Sequence, residues 1–511
     1  MAQEFYRHLL RHAEKDPGHL AVIDGESRLT YRELLDRVER FAGGLETLDL
    51  KPGSKLGLLL LNRVEYLVAL FGAFFKGLPV VPFNFLLSQA DMGFIARDAG
   101  VDIAVVDAAF VKPEAAPLFA LFRHKILAGE ADPAPLGQNT ERFDDFLARS
   151  ARDEGSKPHA KDPDIPSALL YTSGTTAKPK GVMLEESQFD LNARSVLAHL
   201  DISPRDRIIV ALPLFHSFGN IMALLVFRAG STLILLKQFA PKAILSAIAE
   251  HKATILPIVP TIYSFLVQLH ARGGYDASSL RFCVSGGASL PRALLKDVEE
   301  TLGAMVLEGY GLTETSPVIA VNTTAAGSRP GSVGPVVPHV EVKIVDEGGR
   351  GLGADEIGEI LVRGPTVMKG YWKRPEENRE TFTADGWLKT GDLGHRDEEC
   401  LLYISAGRKK DIIIRAGENV SPLAIENALM NHPALAEAAV VGLPDERVGE
   451  RVKACVALRE GSRADSAELR AHCIKELPAF MVPDLFEFHD ALPKNATGKV
   501  MKNVLREGHS A

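Results

Sequence analysis

The amino-acid sequence predicts an α/β protein with more than one domain. Short runs rich in leucine and β-branched residues alternate with helix-like stretches, a pattern typical of βαβ units and largely parallel sheets. A length of 511 residues exceeds what one hydrophobic core usually serves. Hydrophobic residues make up 46% of the chain and charged residues 24%, the balance of a folded globular protein. The strand-like runs are Lys55–Leu61, Val101–Val106, Arg207–Leu212, Thr232–Leu236, Ile255–Val259 and Phe282–Ser285.

The pattern changes twice toward the C-terminus. From about residue 331, Gly, Pro and Asp punctuate short strands, which predicts a small β-rich, barrel-like subdomain over residues 331–406. After Arg408 the pattern becomes compact α+β, with helices over 421–431 and 466–477 and strands over 436–441 and 453–458. We therefore expect a large N-terminal domain, residues 1–408, and a C-terminal α+β domain, residues 409–511.

Charge excludes some classes of partner. The formal net charge of −8 gives no overall attraction to nucleic acid or to an anionic membrane. No run of basic residues compensates for it, so anionic ligands must be bound by local basic clusters. We expect no nucleic-acid partner. A homodimer is compatible with the sequence.

Cysteine usage and hydropathy favour a cytoplasmic protein. The N-terminal residues lack the basic segment and apolar stretch of a secretory signal. Residues 208–227 are uncharged over a length that could span a bilayer. Polar residues in the middle of that segment would be costly in lipid, so we interpret it as a core strand followed by a turn beside a pocket, and we expect no transmembrane segment. Four scattered cysteines, interpreted as buried thiols, fit a reducing cytosol; they are Cys283, Cys400, Cys455 and Cys473.

The sharpest local motif is the segment 171–181, which reads Tyr-Thr-Ser-Gly-Thr-Thr-Ala-Lys-Pro-Lys-Gly. Hydroxyls, glycines and lysines so close together offer a polyphosphate many donors and positive charge, and glycine lets backbone N–H groups approach closely. The segment differs from the loop of P-loop nucleotidases. It is predicted to hold the β- and γ-phosphates of ATP, although a polar surface turn has the same composition. The predicted ligands are Thr172, Ser173, Gly174, Thr175, Thr176 and Lys180.

This segment resembles the signature loop of the adenylate-forming superfamily, which contains acyl-CoA synthetases, peptide-synthetase adenylation domains and luciferases. The family usually has glycine where this chain has Ala177, a departure that removes no ligand. Further motifs of the family follow in the expected order, and the resemblance extends from about Leu29 to Lys502. These motifs are Gly286–Pro291, Glu308–Thr315, Asp385–Asp392, Gly407–Asp411, Gly417–Pro422 and Leu492–Lys499.

The resemblance implies roles for particular residues of the nucleotide site. Tyr310 stacks on adenine, Thr313 binds the α-phosphate and Glu314 reaches Mg²⁺ together with Thr176. An aromatic face, a hydroxyl and a hard oxygen ligand suit these tasks. Asp392 accepts the ribose hydroxyls, a role that carboxylates have in other nucleotide-binding folds. The remaining adenine-binding positions that it implies are Gly287, Ala288, Ser289, Glu308, Gly309 and Gly311.

The resemblance also implies a mobile C-terminal domain. Arg408 reaches ribose or phosphate, Lys410 is the pivot, and Gly417 belongs to a loop that lines the pantetheine tunnel. Lys499 is the catalytic lysine, which bridges the attacking carboxylate and the α-phosphate, an electrostatic role. For Lys409 we favour a charged linker residue without a catalytic role.

The implied activity is acid–thiol ligation with ATP, Mg²⁺ and coenzyme A. His216 is expected to flank the substrate carboxylate, although it could equally be a core histidine. Synthetases for acetate carry tryptophan at the position of Gly311, so glycine there favours a deeper pocket and a medium- or long-chain fatty acid. Three alternatives stay open from the sequence: a ligase for aryl acids such as cinnamates, a ligase that loads acyl carrier protein, and a non-catalytic regulator that binds acyl groups or nucleotides. We consider the carrier-protein acceptor the weaker alternative.

Overall fold

The computed structural model describes residues 3–153, 165–172, 178–237, 239–271, 273–416, 418–445, 447–494 and 500–507. Helices and strands alternate through the first three hundred residues, so the predicted α/β class is confirmed. The helices are α1 (Glu4–Lys15), α2 (Tyr31–Glu46), α3 (Val64–Lys76), α4 (Gln89–Ala99), α5 (Ala116–Phe119), α6 (Phe143–Arg149), α7 (Glu186–Leu197), α8 (Ser217–Ala229), α9 (Pro241–His251), α10 (Pro260–His270), α11 (Arg292–Leu302), α12 (Pro375–Thr381), α13 (Pro422–Met430), α14 (Ser466–Glu476) and α15 (Lys502–Glu507).

Two mixed, mainly parallel sheets form the N-terminal part. Their strands are β1 (Leu20–Asp24), β2 (Ser27–Thr30), β3 (Leu56–Leu59), β4 (Val80–Pro82), β5 (Ile103–Asp107), β6 (His124–Ala128), β7 (Thr140–Arg142), β8 (Ala168–Thr172), β9 (Lys180–Leu184), β10 (Arg207–Val210), β11 (Thr232–Leu235), β12 (Ile255–Ile258), β13 (Phe282–Ser285), β14 (Met305–Gly311) and β15 (Val318–Val321). One sheet has the order β7-β6-β5-β3-β4-β8-β9, and the other has the order β15-β14-β13-β12-β10-β11-β1-β2.

Both sheets are buried on two faces. In β10, Ile208 and Val210 face the large core shared by the two sheets, whereas Ile209 faces a second core under α9, α10 and α11. Strands covered on both sides by helices read as continuous apolar runs, which is why the sequence signal for them was strong. The shared core also contains residues of α2, α3 and α8, so these helices lie between the sheets.

Two smaller sheets follow. The strands β16 (Gly334–Pro335), β17 (Glu341–Val345), β18 (Gly358–Arg363), β19 (Leu388–Arg396) and β20 (Leu401–Arg408) pair antiparallel in the order β16-β20-β19-β18-β17. The strands β21 (Ile413–Arg415), β22 (Glu418–Val420), β23 (Leu435–Asp445), β24 (Gly449–Leu458) and β25 (Leu485–His489) form the last sheet. A short 3₁₀ turn, Lys409–Asp411, connects the two. The predicted domain boundary at residues 408/409 falls between these sheets and stays a prediction.

Three expectations need correction. Cys400 is exposed in a turn with a positive φ of 64°, whereas the other three cysteines are buried as expected. The segment after β10 contains the helix α8. The sequence did not predict this helix, because periodicity cannot distinguish a largely apolar helix from a strand and turn. The hairpin of β23 and β24 extends beyond the expected strands, because pairing from Leu435↔Leu458 to Asp445↔Gly449 includes polar residues that carry no apolar signal. Within the described part of the chain, no helix has both the length and the apolarity needed to cross a bilayer.

The start of α1 is held by a buried carboxyl group. The backbone N–H groups of Gln3 and Phe5 donate to Oε2 and Oε1 of Glu186, at 2.8 and 3.0 Å. Burial outweighs these donors and raises the pKa of Glu186 from 4.5 to about 7. The folded protein therefore binds this proton more tightly than the unfolded chain. The resulting stabilisation is complete below pH 4.5 and is lost as the pH rises through about 7.

We expect Glu186→Gln to lower the unfolding temperature at pH 5.5, since its amide NH₂ faces one of the two backbone donors and a buried hydrogen bond is lost, about 1–3 kcal/mol. The glutamine does not titrate, so the higher unfolding temperature of the wild type relative to the variant diminishes as the pH rises. Thermal unfolding followed by circular dichroism should show a smaller difference in unfolding temperature between the two proteins at pH 8.0 than at pH 5.5. A gap that is the same at both pH values would contradict this account of α1.

Candidate active site

The carboxyl ends of β13 and β14 open onto an exposed turn. Gly287, Ala288 and Ser289 are exposed. Gly287 has a φ of 80°, a backbone conformation that glycine adopts without steric cost. The carboxyl group of Glu308, only 6% exposed, lies beneath the turn and accepts the backbone N–H of Leu290. Burial raises the pKa of Glu308 to about 8. Glu308 is thus placed to support the predicted adenine-binding turn from below.

Tyr310 and Asp392 come together from different sheets. The Tyr310 hydroxyl donates to Oδ2 of Asp392 at 2.6 Å, and Nε of Arg408 lies 2.8 Å from Oδ1. Burial, followed by the Asp392 carboxylate, raises the pKa of Tyr310 well above its usual value, so the phenol stays a donor. Burial disfavours the charged guanidinium, but Asp392 together with the neighbouring Tyr310, Glu314 and Asp411 outweighs it and raises the pKa of Arg408. A carboxylate has about four acceptor positions, so Asp392 can still accept ribose hydroxyls.

Thr313 contacts the N-terminus of α8. Its Oγ1 donates to Oγ of Ser217, the first residue of that helix, at 3.2 Å. His216 is the N-cap of the same helix, and its Nδ1 accepts the backbone N–H of Phe218 at 3.3 Å. A helix N-terminus presents unpaired N–H groups and partial positive charge, which favour anions. The structure therefore groups the predicted α-phosphate residue with the predicted carboxylate residue.

A tyrosine connects the predicted magnesium ligand with the phosphate-binding segment. The Tyr371 hydroxyl donates to Oε1 of Glu314 at 2.7 Å, and Nζ of Lys180 lies 5.4 Å from the centroid of the Tyr371 ring. Burial and then the Glu314 carboxylate raise the pKa of Tyr371 above its usual range. Pairing between β9 and the segment around Tyr371, including a bridge from Val182, fixes this arrangement.

The two ends of the phosphate-binding segment are adjacent. Thr172 closes β8 and pairs with Lys180, which opens β9. Four predicted ligands between them lie outside the described residues: Ser173, Gly174, Thr175 and Thr176. Gly417 and the predicted catalytic residue Lys499 also lie outside the described residues.

The predicted pivot lines a cavity. Gly391, Arg408, Lys409 and Lys410 surround about 350 Å³ of open space at the end of β20. Burial lowers the pKa of Lys410. The Lys409 side chain instead points to Oε2 of Glu359, 3.2 Å away, which agrees with its interpretation as a linker residue. The side chains of Arg408 and Lys410 at this cavity suit an anionic ligand.

Gly311 is explained by the backbone and not by the acyl pocket. A Cβ on this residue would lie 2.1 Å from the carbonyl oxygen of Pro317, so no side chain fits in this conformation. Gly311 therefore gives no measure of pocket depth, contrary to the sequence interpretation. Gly309 is less constrained, with Val321 3.3 Å from such a Cβ.

Sequence reasoning missed two residues of the site. The sequence assigned no role to Ser217 or to Tyr371. The aromatic residue in Gly370-Tyr371-Trp372, next to a glycine, is the one signal that could have indicated a close approach of this segment. Ser217 and Tyr371 reach the site through contacts with residues that are far away in the sequence.

The donor set fits nucleotide and metal. Glu314 supplies a hard carboxylate oxygen, which is what Mg²⁺ prefers. Thr313, Arg408 and Lys180 supply a hydroxyl and two positive charges for phosphate and ribose. The exposed turn at 287–289 leaves room for a flat base beside it.

Comparison with known proteins agrees with this geometry. The family model described as AMP-binding enzyme matches residues 9–372, and the model of the AMP-binding enzyme C-terminal domain matches residues 424–499. A long-chain-fatty-acid–CoA ligase of Bacillus subtilis (strain 168) is 34% identical over 97% of this chain and 92% of its own length. A feruloyl-CoA synthase of an Amycolatopsis species is 34% identical over 97% of both chains.

A solved structure extends the likeness to the whole fold. O-succinylbenzoate coenzyme A synthetase from Bacillus subtilis, in complex with ATP and a magnesium ion, has a TM-score of 0.83 at 32% identity, covering 98% of this chain and 99% of that one. Both family models and the nucleotide site lead to one assignment. The chain belongs to the AMP-binding enzyme family, as an acid–thiol ligase of the adenylate-forming superfamily that uses ATP, Mg²⁺ and coenzyme A.

Proposed function

We propose that this enzyme activates a medium- or long-chain fatty acid as its acyl-AMP and transfers the acyl group to coenzyme A. The observation that carries the proposal is the contact between Thr313 and Ser217, which brings the nucleotide site to the N-terminus of α8. His216 caps the same helix. Nucleotide and carboxylate would therefore meet at one point.

The first step needs positioning and charge stabilisation more than acid–base chemistry. The substrate carboxylate is already ionised at neutral pH, so it attacks the α-phosphorus and pyrophosphate leaves. Asp392 and Tyr310 orient ribose and adenine, Thr313 binds the α-phosphate, and Lys499 neutralises charge between carboxylate and phosphate. Mg²⁺, held by Glu314 together with Thr176, would neutralise charge on the phosphates.

In the second step the coenzyme A thiol attacks the acyl carbonyl and AMP leaves. Lys499 has no role in this step, so a rotation about Lys410 can remove it and bring in Gly417. The short Lys409–Asp411 turn between two separate sheets supports a pivot at this position.

The residues beside the reaction point favour an apolar acid. The helix α8 carries one charged residue, Arg228, in its last turn, and its first turn has no charged side chain. The ring of Phe218 lies 3.4 Å from where a Cβ of Gly286 would be, at the end of β13. Such surroundings offer no counter-ion to a second carboxylate, and they suit alkyl chains. The similarity to a long-chain-fatty-acid–CoA ligase supports this choice, and the equal similarity to a feruloyl-CoA synthase makes an aryl acid the second candidate.

The test is pyrophosphate release from Mg·ATP with straight-chain acids, ferulate, cinnamate and succinate. We expect release with the straight-chain acids, and Lys499→Ala should reduce it by about 10²–10³-fold, the range for loss of one electrostatic stabiliser. Lys475→Ala, at an exposed position on α14, should leave the rate unchanged. Release with ferulate alone would replace the fatty acid by the aryl acid, and release with none of the acids would refute the activity.

The pivot is tested by Lys410→Pro. Proline fixes φ and removes a backbone donor, which restricts rotation at this position. We expect adenylation to persist, while thioester formation from supplied acyl-AMP and coenzyme A falls by tenfold or more, about 1.4 kcal/mol in barrier. Lys409→Ala serves as the neighbouring control. Equal losses in both half-reactions would argue against a pivot.

Tyr371→Phe tests the restraint on Glu314. It removes one hydrogen bond to a charged group, a contribution of about 1.5–3 kcal/mol, so we expect KM for Mg·ATP to rise roughly tenfold with a smaller change in kcat. Steady-state kinetics at varied Mg·ATP would measure it. Tyr403→Phe is the control: it removes a comparable hydroxyl, which lies away from the site and donates to Oδ2 of Asp397 at 3.1 Å. This variant should leave KM for Mg·ATP unchanged. An unaltered KM in Tyr371→Phe would mean that Glu314 needs no restraint.

A further inference from the structure

The neighbouring strands β24 and β25 carry a cysteine, a glutamate and a histidine on one face. The two strands run parallel, and Cys455 lies opposite Glu487 while Ala457 lies opposite His489. Side chains two residues apart on a strand point to the same face, and adjacent strands lie about 4.8 Å apart. The pairing therefore brings together three side chains that can bind a metal. Their ligand atoms all lie within 4.8 Å of one another.

The three residues differ in their access to solvent. Cys455 is completely buried, and it packs with Leu492 and with Leu505 of α15. The side chains of Glu487 and His489 are 31% and 24% exposed. An ion can therefore approach from solvent past the carboxylate and the imidazole, and the thiol lies deeper.

One nitrogen of the cluster lacks a hydrogen-bond partner. Nε2 of His489 lies 3.0 Å from Oε1 of Glu487, but the two groups are not aligned for a hydrogen bond. This nitrogen is shielded from solvent and makes no hydrogen bond to any other residue that the structure describes. Nζ of Lys453 lies 2.8 Å from the other carboxylate oxygen, Oε2, and so orients the carboxylate. A buried polar atom without a partner is costly, and a bound cation would satisfy it.

The donor atoms select the kind of metal. A thiolate, an imidazole and a carboxylate are all ligands of Zn²⁺, which usually takes four ligands in a tetrahedral arrangement. Mg²⁺ and Ca²⁺ prefer oxygen ligands. The Mg²⁺ that accompanies ATP would therefore not compete for this cluster. Three protein ligands leave a fourth position for water, on the side where Glu487 and His489 reach solvent.

We propose that Cys455, Glu487 and His489 form a binding site for Zn²⁺ in the last sheet. None of these residues belongs to the motifs assigned to ATP or coenzyme A, so the site does not depend on the proposed function. Binding would release the thiol proton to solvent and place the ion between Sγ, Nε2 and a carboxylate oxygen, which links β25 to β24. A buried thiol beside a histidine–glutamate pair is the simpler interpretation, and it predicts no metal bound through sulfur.

The experiment titrates the reduced, full-length enzyme, first freed of metal by a chelator, with Co²⁺, whose absorption reports its ligands. We expect one equivalent to bind with a thiolate-to-cobalt charge-transfer band in the near ultraviolet, and Zn²⁺ to displace the cobalt and remove the band. Cys455→Ser should abolish the band. His489→Gln should weaken Zn²⁺ binding, measured by competition with a chromophoric chelator, by at least tenfold, since loss of a residue that only orients a ligand already costs about 10–100-fold.

Cys400→Ser is the matched control, because Cys400 is exposed, whereas the other three cysteines are buried, and a loosely bound ion would reach it first. This variant should keep both the band and the affinity. Since His489 is partly exposed on the surface of β25, its substitution tests the site even if Cys455→Ser folds poorly. Three results would overturn the inference: no charge-transfer band in the wild type, a band lost in Cys400→Ser but kept in Cys455→Ser, or wild-type affinity for Zn²⁺ in His489→Gln.

Discussion

The carboxylate of Asp392 joins residues of three strands, one of which lies 82 positions earlier in the sequence. It lies on β19, accepts the hydroxyl of Tyr310 from β14, and pairs with Arg408 at the end of β20. Its burial to 5% exposure strengthens both contacts because water competes little there. This one group connects the large, mainly parallel sheet with the antiparallel sheet and with the start of the connecting turn. It thereby fixes their relative positions around the nucleotide site.

The other site residues are held by the same means, polar contacts between elements that the fold brings together. Ser217 positions Thr313 from α8, and Tyr371 positions Glu314 from the segment paired with β9. Catalysis of the first step depends on orientation and charge and requires no proton transfer by the protein. A small displacement of these partners would therefore weaken the reaction without removing any ligand.

The two parts of the chain meet at the turn Lys409–Asp411 and where α13 packs on β20. The turn joins two sheets that share no strand. An enzyme that must present different residues to two successive reactions needs arrangements of similar free energy. A strong interface would favour one half-reaction at the expense of the other.

The sequence by itself determined the α/β class, the strands buried on both faces and the order of the nucleotide-binding motifs, because these depend on local composition and on residues close together in the chain. Tertiary structure alone decided the partners of those motifs. Tyr371 reaches Glu314 across 57 positions and Tyr310 reaches Asp392 across 82, and no local pattern encodes such pairs. It also decided the meaning of Gly311: the carbonyl of Pro317, placed by the pairing of β14 with β15, leaves no room for a side chain. Steric exclusion by distant backbone is a property of the folded chain, and sequence spacing does not report it.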